Sequence, residues 1–155
     1  MASHSSAIKT ITSIMSCLFC RIIKGEIPSF KIYETSKVYA FLDVNPLAEG
    51  HTLVIPKIHA AKLHEVPDDY LADILPATRK IALALGATPD DAFQYNILQN
   101  NGTLAHQVVQ HVHFHVIPKP NDAEGLGISW PGKPTDFGAL KKTHETLLKK
   151  MEGKL

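Results

Sequence analysis

Between residues 30 and 118 the apolar positions fall into short runs and two-residue alternations, interrupted by one long stretch of helical spacing. Residues 30–34 and 38–43 read as two strands around a turn at Thr35-Ser36-Lys37. Asn45-Pro46 breaks that pairing, and Gly50 opens a third strand, residues 51–55, stopped by Pro56. Over residues 67–85, Leu71, Ile74, Leu75, Thr78, Ile81, Ala82 and Leu85 recur at helical spacing, with Asp68 and Asp69 in the first turn and Gly86 closing the helix. Pro76 inside that pattern predicts a kink or a break. Residues 93–99 read as a fourth strand, a turn-rich connection follows at 100–106, and a fifth strand runs from His111 to Pro118. A short helix over residues 17–24 ends at Gly25, and a last helix spans about 136–151, its start delayed by Gly138. Strands arriving in consecutive pairs, with one long helix inserted, predict an α+β domain: an antiparallel five-stranded sheet with one long helix and a short N-terminal helix.

The fifth strand carries the densest chemistry. His111, His113 and His115 alternate with Val112, Phe114 and Val116, so an extended backbone puts the three imidazoles on one face. The apolar residues, with Val108, form the other. Imidazole titrates near neutrality, binds metals and acts as nucleophile or acid/base, so the strand by itself leaves metal binding and covalent catalysis both open.

Composition narrows the classes. A formal net charge of +1 gives no electrostatic case for nucleic acid or an anionic membrane. Lys141, Lys142, Lys149 and Lys150, spaced with Glu145, read as a solvated helix face. No apolar run approaches the ~20 residues that span a bilayer. Residues 1–16, rich in Ser and Thr, lack the basic start and cleavage site of a secretory signal and lack the arginines of a mitochondrial one. They read as a disordered tail, with Met15 available as an internal start. Two cysteines make no disulfide framework, which favours a reducing compartment.

Those cysteines, Cys17 and Cys20, form a C-x-x-C pair whose sulfurs can reach one metal. Zinc takes four tetrahedral ligands, so two histidines must complete the set, and His51, His59, His64, His106, His111 and His115 are all candidates by spacing. A pair of reduced thiols packed in a small core is the competing reading.

The run H-V-H-F-H-V at 111–116 is similar to the histidine-triad (HIT) pattern. Residues 17–39 with Ile22-Ile23-Lys24-Gly25-Glu26-Ile27-Pro28, then Ala40-Phe41-Leu42-Asp43-Val44-Asn45-Pro46, Gly50-His51-Thr52-Leu53-Val54-Ile55-Pro56-Lys57, Asn100-Asn101-Gly102 and Trp130-Pro131-Gly132, resemble the Hint branch of that family. The resemblance covers roughly residues 17–132, leaving 133–155 as a C-terminal helical extension. It implies a HIT-like domain that forms a homodimer, with Trp130 near the partner's site, in the cytoplasm or the nucleus. It also implies an adenosine (purine) 5′-monophosphoramidase that cleaves a P–N bond and releases AMP and an amine through a nucleotidyl-His113 intermediate.

Carried over by position, the catalytic residues are His113 as nucleophile with His115, His51 and Gln107. The nucleotide site comprises Asp43 at the ribose, Phe19, Ile22, Phe41, Val44 and Leu53 around the base, and Asn100, Gln107, Val108, His113 and His115 toward the phosphate. Plain core packing competes for Ile22 and Leu53, because a purine slot and a core use the same residue types. The resemblance assigns structural zinc to Cys17, Cys20, His59 and His111. Val108 departs from the Ser or Thr common in relatives, which predicts a weaker hold on the leaving group. A dinucleoside polyphosphate hydrolase and a nucleotide-binding interaction protein are the alternatives; a deadenylase acting on DNA ends is disfavoured by the charge balance.

Overall fold

The computed structural model describes residues 16–90 and 92–154, so the expected tail, apart from Ser16, lies outside the described residues. Its elements are α1 (Leu18–Ile23), β1 (Lys31–Glu34), β2 (Val38–Leu42), β3 (Thr52–Pro56), α2 (Asp68–Ala84), β4 (Tyr95–Gln99), β5 (Phe114–Pro118) and α3 (Phe137–Met151), with single 3-10 turns at Leu63–Glu65 and Thr103–Ala105. The strands form one antiparallel sheet in the order β1-β2-β3-β5-β4. Because β5 inserts between β3 and β4, the end of the histidine run sits inside the sheet rather than at its edge.

Alternation along β2 and β3 sends side chains to two cores. Tyr39, Phe41, Leu53 and Ile55 pack with Phe19, Cys20 and Ile22 of α1. Val38, Ala40, Val54 and Val116 pack with Ile74, Ala77 and Ile81 of α2 on the opposite face. Each fully buried Ile or Val contributes on the order of 1.5–3 kcal/mol, so these two layers hold the sheet flat-on between its helices. Leu53 pairs with His115 in register, which sets the histidines on the α1 side.

Three expectations change. The fifth strand begins at Phe114, not His111, because both of its ladders stop there, against Gln99 of β4 and Val54 of β3, although β3 itself runs on to Pro56. Residues 111–113 are held otherwise: Val112 N–H donates to Ala60 O at 2.8 Å and His111 N–H to Val109 O at 2.9 Å. The side-chain alternation nevertheless persists, with Val112 packed against Ala60 and Val66. It does not reach Val108, which is 88% exposed, because the chain bends between the two. Secondly, Pro76 does not break α2. The carbonyl it deprives of a donor, that of Ala72, belongs to an exposed residue where water can serve instead. Leu75 beside it faces solvent rather than the core. Thirdly, Gly138 does not delay α3: Asp136 caps the helix by accepting from the N–H groups of Gly138 and Ala139 at 2.9 and 3.1 Å. No residue of α3 is buried.

Candidate active site and metal centre

The three histidines differ in what the second ring nitrogen faces. His113 Nδ1 lies 2.7 Å from the carbonyl oxygen of His111. A carbonyl only accepts, so Nδ1 carries the proton and Nε2 keeps a lone pair. His113 is 5% exposed and lines the main cavity of the α1 face. Burial, the largest influence on it, pushes its pKa below the ordinary imidazole value. A rigid, neutral imidazole with Nε2 free of protein partners at a cavity wall has the chemistry of a nucleophile. Phe19 fixes it from the side, its ring edge-on to His113 at 5.3 Å and to His111 at 5.9 Å between centroids.

His115 gets its proton from a different logic. Leu47 N–H donates to His51 Nδ1 at 3.2 Å, so His51 must carry its proton on Nε2. That proton points to His115 Nδ1 at 2.9 Å, which leaves His115 with an Nε2–H. The His115 ring stands 4.9 Å from that of His113. Burial first, then the neighbouring imidazoles, push His115 down to about 4, so it is neutral at pH 7. It is a hydrogen-bond donor placed beside a nucleophile. Asp43 closes the chain: Oδ1 accepts from Asn45 N–H at 2.8 Å and Oδ2 stands 3.7 Å from His51 Nε2.

Among the described residues, two groups of side chains have the spacing to hold a metal: Cys17, Cys20, His59 and His111, and Asp43, His51 and His115. Their hydrogen bonds separate them. A ligating histidine donates its other N–H to an acceptor. His111 does so, from Nε2 to Pro56 O at 2.9 Å, and turns the Nδ1 lone pair to the sulfurs. His51 has the opposite arrangement, its Nδ1 facing the Leu47 N–H, so coordination through Nε2 would set two donors against each other. The second group is a hydrogen-bond relay rather than a metal site.

The first group also fits by distance. Sγ–Nδ1 separations are 3.5 Å for Cys17–His111, 3.6 Å for Cys20–His111 and 3.4 Å for Cys20–His59. Bonds of ~2.3 Å to sulfur and ~2.0 Å to nitrogen give a tetrahedral site S···N edges of about 3.5 Å. Desolvation, then Cys17, push the metal-free Cys20 thiol up to about 12, so coordination must expel its proton. Burial holds His59 below its ordinary value and His111 down to about 4, in the neutral form a metal needs. His64 and His106 stand exposed, outside the cluster.

A cavity of about 620 Å³ runs from His113 and His115 along the α1 face. Phe19, Ile22, Phe41, Val44 and Leu53 line it, as do Asp43 and Val108. Leu18, Ile27, Pro28, Phe30 and Val109 line it too and were not anticipated. The apolar pair Ile27-Pro28, in the short link between the first helix and the first strand, is the signal that could have found that part of the wall. Ser29, Leu42, Asn45 and His106 complete the unforeseen wall.

Gln107 is not among the lining residues. It is 2% exposed and its amide is fully engaged, Nε2 donating to Ala61 O at 2.7 Å and Val109 O at 3.1 Å, Oε1 accepting from Gly102 N–H at 2.7 Å and Lys62 Nζ at 3.1 Å. Its side chain ties the 100–109 loop to the 57–62 segment rather than facing a substrate. Asn100 makes one local hydrogen bond, its Nδ2 donating to His106 O at 3.4 Å. Nothing in the sequence signals Lys62.

A HIT-domain family model matches residues 24–122. The adenosine 5′-monophosphoramidase of Candida albicans is 55% identical over 150 residues, covering 95% of this chain and 92% of that protein. The crystal structure of a histidine triad nucleotide-binding protein from the same organism superposes with a TM-score of 0.85 at 56% identity, over 89% of this chain and 99% of that one. A zinc-bound histidine triad family protein from Mycobacterium smegmatis superposes with a TM-score of 0.65 at 37% identity, over 77% and 86%.

Proposed function

The chain belongs to the HIT-domain family, and on that premise we propose that it is a hydrolase that cleaves the P–N bond of adenosine 5′-phosphoramidates, releasing AMP and an amine. The observation that carries the reading is the His113 tautomer. Nδ1–H is held by the His111 carbonyl and Nε2 is free at the wall of an apolar cavity of nucleoside size.

The adenine lies between Phe19, Ile22, Phe41 and Leu53, and Asp43 accepts from the ribose hydroxyls. His113 Nε2 attacks the α-phosphorus; the P–N bond breaks and its electron pair leaves with the amine, which takes a proton. The nucleotidyl-imidazolium that forms keeps its Nδ1–H on the His111 carbonyl, which stabilises the ring's new positive charge. His115 Nε2–H donates to a phosphoryl oxygen as negative charge gathers there. Water then attacks phosphorus, AMP departs and the pair returns to Nε2.

Replacing His113 with Ala should abolish turnover of an adenosine phosphoramidate while AMP still binds. Wild-type rates in that variant would remove the assignment.

Zinc is the metal whose chemistry matches the two sulfurs and two nitrogens of Cys17, Cys20, His59 and His111. Bound there it supplies only a structural cross-link, with every ligand position taken by protein. The free cysteines suit a reducing compartment, cytoplasm or nucleus. The oligomer is a homodimer. Its support is the outer edge of β4, which has no strand partner among the described residues and exposes Tyr95 and Ile97. Trp130, 87% exposed, then serves the partner's site.

A further inference from the structure

Cys17 and Cys20 are the two cysteines of the chain, and both are free thiols. One helical turn separates them, closed by Arg21 N–H donating to Cys17 O at 3.1 Å. That spacing keeps their Cα atoms within the roughly 4.4–6.8 Å that a disulfide spans. Their sulfurs, with the ring nitrogens of His59 and His111, all lie within 4.8 Å of one another. Bringing the sulfurs to the ~2.05 Å of a bond therefore takes rotation of two side chains rather than movement of the backbone. The sulfurs can serve a metal or each other. They cannot do both, because a disulfide sulfur has given up the charge with which a thiolate holds a cation.

The surroundings tie the state of this pair to the nucleophile by two routes. His111 turns Nδ1 to both sulfurs, at 3.5 and 3.6 Å, while its carbonyl holds the His113 Nδ1–H at 2.7 Å. Phe19 lies between the cysteines in the chain and is edge-on to His111, His113 and Phe41, with centroids 5.9, 5.3 and 5.6 Å away. The same ring is a wall of the nucleoside cavity. Turning the two sulfurs toward each other strips His59 and His111 of their shared partner and shifts the turn that carries Phe19.

Building on the phosphoramidate reading, we propose that Cys17 and Cys20 are a site of reversible oxidation, at which a hydroperoxide closes a disulfide, frees the metal and slows the chemistry of His113. In the ligand set both sulfurs are thiolates, the form that attacks a peroxide. Cys17, marginally the more exposed, takes one peroxide oxygen as the O–O bond breaks, giving a sulfenic acid and hydroxide. The Cys20 thiolate then attacks the Cys17 sulfur; the S–S bond forms, the S–O bond breaks and a second hydroxide leaves. Two protons from solvent turn both hydroxides into water. Each sulfur loses one electron and the peroxide gains two. A dithiol reductant reverses the change by thiol–disulfide exchange.

The test treats zinc-loaded protein with hydrogen peroxide and follows free thiols, zinc released to a chromogenic chelator, intact mass and kcat/KM on an adenosine phosphoramidate. Both thiols should disappear together, with hydrogen lost and no oxygen gained in the mass, as zinc is released. Over the same course kcat/KM should fall on the order of tenfold or more, the scale on which a small misplacement of a reacting group is felt. Dithiothreitol with added zinc should restore it. Thiols that survive millimolar peroxide, a disulfide that joins two chains, or a disulfide form with full activity would each overturn the proposal. Peroxide should leave the rate of the double variant Cys17→Ser, Cys20→Ser at its own starting level; equal inhibition there would place the effect on other residues and overturn it too. Reduced wild-type protein inactive on the substrate would instead remove the phosphoramidate reading, and the thiol, mass and zinc readouts would still judge the disulfide.

Discussion

Each histidine of the triad is told apart by the atom its second nitrogen faces: a carbonyl from Pro56 for His111, a carbonyl from His111 for His113, an imidazole for His115. Those partners assign three tautomers and hence three roles to one residue type. Val108 offers a check at the same scale. Its side chain lies in the cavity wall, so Val108→Ser places a hydroxyl where the substrate's phosphoryl and leaving groups lie. One hydrogen bond of about 1 kcal/mol predicts a gain in kcat/KM of about fivefold, read by steady-state kinetics; an unchanged rate would show that the hydroxyl finds no partner. Side-chain types and spacing made the histidines of the fifth strand legible as chemistry, whereas Asp43 entered only through the resemblance to the histidine-triad pattern. They could not show that Gln107 spends its amide on Ala61, Val109, Gly102 and Lys62, because those partners come together only through the fold. Nor could they show that His106 adopts a glycine-like backbone.

At the scale of elements, α1 is only six residues long and cannot hold its place by helix stability alone. It is held by Phe19 and Ile22 in the core and by the two cysteines reaching His59 and His111. A metal bound there would weld α1 to the entry of β5 and so set the cavity's width. Purified protein should carry one zinc per chain, and Cys17→Ser should lose it with a lower melting temperature. A chelator should destabilise the wild type and leave the variant unmoved; wild-type protein without zinc after expression in its presence would contradict this. Periodicity identified α2 well, since burial demands it, and it overestimated Pro76, whose cost depends on which face the orphaned carbonyl meets. The start of β5 differs from the alternation because a strand lasts only as long as its ladders, and the pairings to β3 and β4 both stop at Phe114.

At the scale of the molecule, burial of neutral histidines predicts how stability follows pH. His115 is pushed down to about 4 and His51 is also lowered, whereas an unfolded histidine titrates near ~6.5. Between those values the unfolded chain binds protons that the native one refuses. The contribution is therefore fully present above ~6.5 and is lost as pH falls toward 4. Calorimetry should show the melting temperature dropping across that window, less steeply in His115→Asn; a flat profile would contradict the buried neutral relay. The same scale decides assembly. Sedimentation should give twice the mass of one chain, and Ile97→Lys, which puts a charge on the open face of β4, should halve it. A wild-type monomer at micromolar concentration would rule out the dimer.

The central claim is that His113 becomes bonded to phosphorus, which makes the reaction two displacements rather than one. Each in-line displacement inverts the phosphorus centre, so the stereochemical course counts them. Turnover of an adenosine phosphoramidate made chiral at phosphorus with sulfur, carried out in heavy-oxygen water, should give a product with net retention of configuration. Net inversion would mean that water attacks the substrate directly and would contradict the account.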